Sequence, residues 1–66
     1  MTKMQLERME IVACYRLGMD IEEIKFRYML KSEKQILKYH NDMSTDAVTL
    51  TVMHNIEQSI REKGWV

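Results

Sequence analysis

The stretch Tyr15–His40, YRLGMDIEEIKFRYMLKSEKQILKYH, decides the fold. An apolar run reaches it from the N-terminal side and stops at Gly18, a residue that takes a left-handed helix-ending conformation without a Cβ penalty. Asp20 follows as an N-cap, and Glu23, three residues on, completes a capping-box-like pattern. Both acids lie at the favourable end of a helix dipole. A second helix is therefore expected from Ile21 to Tyr28 or Met29. Ile21, Ile24 and Tyr28 form its inward edge, and Phe26 falls off that edge. Ser32 caps a third helix, Glu33 to His40, to which Ile36, Leu37 and Tyr39 bring apolar contacts and which Asn41 and Asp42 are expected to break.

Outward from this centre the same periodicity continues. Upstream, Leu6, Met9, Ala13 and Leu17 recur at helical spacing, and Ile11, Val12 and Tyr15 widen the stripe, so a first helix is expected over residues 2–17. Downstream, Ser44 or Thr45 caps a fourth helix over residues 46–63. Val48, Val52, Ile56 and Ile60 repeat at i+4 with Met53 beside them, and Gly64 ends it. Val48–Val52, VTLTV, is β-branched and alternates, which leaves a strand as the competing reading there. The chain of 66 residues has no proline and two glycines, so long regular elements with short joins are expected. The sequence thus predicts an all-α bundle of about four helices, one domain over 1–66, with a core over residues 2–41 and a C-terminal helix over 46–63.

A chain this short buries only about 60% of the surface that its unfolded form exposes, which makes dimerisation a natural remedy. The start, MTKMQLERME, is too charged for a signal peptide or a membrane span, so a cytoplasmic chain with no membrane partner is expected. The lone Cys14, between apolar neighbours, reads as a buried, inert thiol. Together with His40 and His54 it gives no zinc spacing, so no metal and no cofactor are expected. No phosphate-binding glycine loop and no nucleophile with a base is present, and Glu22 and Glu23 diverge by roughly 100° on a helix, so the chain does not read as an enzyme. An enclosed ligand pocket is not expected at this size. The seven methionines read as core filling, and Trp65 reads equally as a docking anchor or as a side chain folded back onto the bundle.

The formal net charge is zero, but it is unevenly distributed. Residues 25–40 carry Lys25, Arg27, Lys31, Lys34 and Lys38 against Glu33 alone, a net of +4, between flanks that are each −2. Such asymmetry points to a directed basic face.

At Tyr15, Gly18, Asp20, Ile21 and Ile24, and again at Leu30, Ser32, Glu33, Ile36 and Tyr39, the chain resembles the helix-turn-helix of small bacterial and phage regulators. The resemblance covers roughly residues 9–40. It departs from the pattern at Lys25, where a small residue is usual, in a turn without glycine, and in a join one residue longer. The resemblance implies a DNA-binding transcriptional regulator, acting as a homodimer on double-stranded DNA. Ser32, Lys34, Gln35 and Lys38 would face the major groove, with Gln35 suited to adenine and Lys34 to guanine, and Lys25, Arg27, Lys31 and Lys38 would meet phosphate. The alternative is a phage-type inhibitor or adaptor that binds a host protein and not DNA, suggested by net neutrality, the methionines and Trp65.

Overall fold

The computed structural model describes residues 2–66 and folds them as four α-helices: α1 Lys3–Arg16, α2 Ile21–Tyr28, α3 Glu33–Asp42 and α4 Ala47–Glu62. The radius of gyration is 11.1 Å, against about 10.8 Å for a folded chain of this length. α1 is the hub: α4, α3 and α2 all pack on it. The core is Met9, Ile11, Val12, Ala13 and Cys14 of α1, Met19 of the first join, Ile24, Ile36, and Met53 and Ile60 of α4. Five consecutive or near-consecutive residues of α1 are buried because a helix covered on three sides needs apolar groups around most of its circumference.

Three helix ends close in one way. After α1, Gly18 is left-handed (φ 93°), its N–H bonds Tyr15 O at 3.2 Å, and Met19 N–H bonds Cys14 O at 3.0 Å. α4 closes alike at Gly64 (φ 75°), with Trp65 N–H on Ile60 O at 3.3 Å. α2 closes at Met29 (φ 55°), with Leu30 N–H on Lys25 O at 2.9 Å. This 6→1 closure needs a left-handed residue and turns the next side chain back toward the helix. Met19 is buried, and Leu30 and Trp65 are packed against the core.

Val48–Val52 is helical, inside α4, as the i+4 repeat from Val48 to Ile60 indicated, and the competing strand reading does not hold. β-propensity mostly measures packing on a sheet, and no neighbouring strand exists among the described residues. Asn41 and Asp42 extend α3 instead of breaking it. Asp20 precedes α2 without a side-chain cap bond, and Glu23 pairs with Arg27. Capping boxes form instead on α1, where Gln5 N–H bonds Thr2 Oγ1 at 3.2 Å and Thr2 N–H bonds Gln5 Oε1 at 2.8 Å, and on α3 between Ser32 and Gln35. α4 is capped by Asp46, whose Oδ1 accepts from Thr49 N–H at 2.8 Å, and not by Ser44 or Thr45. Leu6 and Val48, placed inward by periodicity, are 39% and 69% exposed, because α1 and α4 both begin beyond the reach of the core.

Candidate nucleic-acid interface

The seven residues singled out for nucleic acid fall into three groups. Lys25 and Arg27 belong to α2 and are engaged inside the chain. Lys25 Nζ lies 3.2 Å from Glu22 Oε2, and Arg27 Nη2 lies 3.3 Å from Glu23 Oε2. The Arg27 guanidinium also sits 3.9 Å over the Trp65 ring, which Lys63 approaches at 4.7 Å from centroid to Nζ. Trp65 is thus folded back, stacked between two cations that join the end of α4 to α2.

Ser32 and Gln35 form the second group, and they build the join. Ser32 is the N-cap of α3. Gln35 Oε1 accepts from Lys31 N–H at 2.8 Å and from Ser32 N–H at 3.4 Å. The carbonyl of Gln35 is therefore committed to two backbone donors that the helix start would otherwise leave bare. Its side chain holds the entry to α3 and does not stand free on the outer surface.

Lys31, Lys34 and Lys38 are the third group. All three are exposed, and none has a carboxylate within 4.0 Å among the described residues. Lys34 and Lys38 are one turn apart on α3, and Lys31 precedes Lys34 at its approach. The helix carries this face further than the sequence indicated. Leu37 and Asn41 lie within roughly 60° of Lys34 around the axis, and both are exposed. Asn41 was missed because Asn and Asp read as helix breakers. Continuing the three-to-four spacing of Lys31, Lys34 and Lys38 by one more turn would have found it.

On the other flank of α3 the chain opens a groove of about 890 Å³ between α1, α3 and the start of α4, where no pocket was expected at this length. It is an open cleft, not an enclosed cavity. Met9, Tyr39, Met43 and Val48 supply its apolar lining, and Arg8, Lys38, Asp42 and Asp46 its charge. Arg8 lies over the Tyr39 ring at 5.2 Å.

Between α1 and α2 lies a short, half-buried polar relay. Tyr28 Oη donates to Glu10 Oε1 at 3.0 Å, and Cys14 Sγ lies 3.8 Å from the same phenol oxygen. The phenol has one proton and gives it to Glu10, so the thiol is the donor to Tyr28. Burial pushes the Cys14 thiol above its ordinary value, and burial, with the thiol and Glu10 beside it, pushes Tyr28 up as well. Both stay protonated at neutral pH, which makes Cys14 a structural group and not a nucleophile. His40 packs edge-on against Tyr15, with centroids 5.3 Å apart. Among the described residues no group of three metal-ligating side chains assembles, and no helix is long and apolar enough to cross a membrane. No family model matches the chain, and neither a curated protein nor a solved structure does.

Proposed function

We propose that this chain is a small DNA-binding regulator that presents α3 to duplex DNA and works as a homodimer. One observation carries the reading. The basic residues of α2 are tied to acids on their own helix, whereas exposed Lys31 in the join and exposed Lys34 and Lys38 on α3 have no acidic partner among the described residues. Unpaired lysines on a short, capped helix suit phosphate contact, because each releases condensed counterions when it binds. Lys34 and Asn41 have the chemistry to meet base edges, and Leu37 to meet a thymine methyl group. Lys25, Arg27 and Gln35 support the presenting surface.

The test is fluorescence anisotropy on a mixed-sequence duplex as salt is raised. Log affinity should fall linearly with log salt, and Lys31→Gln with Lys34→Gln, which removes four lysines from a dimer, should lower the slope by about 3–4. Absence of binding at the lowest salt, or an unchanged slope in the double variant, would overturn the reading.

A second reading has its own observation. Phe26 and Met29, one turn apart at the end of α2, are 86% and 89% exposed. Large apolar groups set side by side suit a protein partner. An adaptor of that kind would lose its partner on Phe26→Ser and tolerate loss of the lysines, and a DNA reader would do the reverse. Trp65 does not serve this reading as an anchor, being stacked on Arg27.

A further inference from the structure

Two charges stand at the wrong ends of their helices. Lys3 is the first residue of α1, where the dipole is positive, and Asp42 is the last of α3, where it is negative. Both are exposed, and neither has an opposite charge within 4.0 Å among the described residues. Each belongs to a pair of the same polarity. Lys3 is followed four residues later by Glu7, and Asp42 is preceded four residues earlier by Lys38. A cation followed by an acid at i+4 is the weaker order for a pair within one helix, and neither pair closes.

Two segments that each read cation then acid, one turn apart, become complementary when they run antiparallel. We propose that two copies of this chain pair through these segments, the first turns of α1 from one copy lying in the groove beside α3 of the other. Lys3 of one copy then faces Asp42 of the second, and Glu7 faces Lys38. A two-fold axis makes the contact twice, which closes the assembly at a dimer.

The apolar surfaces fit the same arrangement. Residues 2–8 are exposed throughout, and Met4, 64% exposed with Arg8 at its sulfur (3.6 Å), and Leu6, 39% exposed, flank the Lys3–Glu7 face. Around the helix, that face points away from its own groove, so it is free to enter another. The receiving groove offers Met9, Tyr39, Met43 and Val48 between Lys38 and Asp42. This inference rests on the self-association part of the proposed function and not on DNA contact. In this arrangement Lys38 goes to the seam, and Lys31 and Lys34 remain for phosphate.

Sedimentation equilibrium without DNA tests it. The chain should weigh twice its 8.0 kDa at micromolar concentration. Lys3→Glu and Asp42→Lys should each weaken pairing by about tenfold, and the two together should restore most of it. Each substitution improves the match with its own helix dipole while setting like charges four residues apart, with Glu7 or with Lys38, so the two effects on the helix oppose each other. Helix content by circular dichroism serves as the control. A mass of 8.0 kDa at every concentration, growth beyond a dimer, single variants that pair like the parent, or a double variant without rescue would each overturn the proposal. Duplex binding is read separately, since Lys31 and Lys34 are untouched.

Discussion

At the scale of single residues, Met29 stands out. It occupies the left-handed position that glycine holds at the ends of α1 and α4, and its side chain packs on almost nothing. A left-handed L-residue costs about 1–2 kcal/mol, and glycine returns part of that gain through its greater freedom in the unfolded chain. Met29→Gly should therefore stabilise the fold by about 0.5–1 kcal/mol, raising Tm by several degrees in a chain of this size. Unchanged or lowered Tm would mean that the exposed thioether has a contact of its own. The relay of Cys14, Tyr28 and Glu10 makes a second prediction. Thiol and phenol are both harder to ionise when folded than when unfolded, so the unfolded state loses protons first as pH rises. The stability they contribute is complete below about pH 8.5, and it declines as pH climbs through the ordinary thiol range near 8.5 and phenol range near 10. Urea midpoints along that range should fall more steeply for the parent than for Tyr28→Phe. Parallel curves would count against the relay.

At the scale of elements, the join between α2 and α3 depends on Gln35. Its carbonyl caps two backbone N–H groups, so Gln35→Ala should cost about 0.5–2 kcal/mol, typical of a lost helix cap. Glutamate at this position keeps the acceptors and should recover most of the loss, as read from urea midpoints. If Gln35→Ala is neutral, the join is held by Leu30 and the left-handed Met29 alone. This element also shows what the sequence made legible. The start of α3 was readable from Ser32, because a short polar side chain before an apolar period has a local cause. The start of α2 was readable from Asp20 before an apolar period, although Asp20 makes no side-chain cap bond, while its end rests on a left-handed Met29 that no spacing rule marks. The end of α3 was not readable: Asn41 and Asp42 continue the helix because Tyr39 and Met43 keep it packed on the core, a tertiary effect that overrides propensity. VTLTV kept a strand as its competing reading for the mirror-image reason, since the helix expected there is fixed by Met53 and Ile60 farther along. The basic cluster was legible as composition. Its division into tied Lys25 and Arg27, capping Gln35 and free Lys31, Lys34 and Lys38 depended on distances that no spacing rule supplies.

At the scale of the whole molecule, one hub helix carries three others over a core of ten buried apolar residues among those described. A chain of this length has about 3–10 kcal/mol of net stability, and a buried Ile→Ala change costs about 2–5 kcal/mol. Ile36→Ala, at the contact of α3 with α1, should bring the protein close to its unfolding midpoint at 37 °C. Retention of full helicity there would show that a further source of stability, such as pairing of two copies, supports the fold. The closure of α4 has an optical consequence. Trp65 is the only tryptophan, and it is held between Arg27 of α2 and Lys63 at the end of α4. Its emission is therefore a built-in gauge of whether α2 and the end of α4 are clasped. A red shift on heating or dilution that precedes loss of helical ellipticity would record the clasp opening before the bundle melts, with no dye attached.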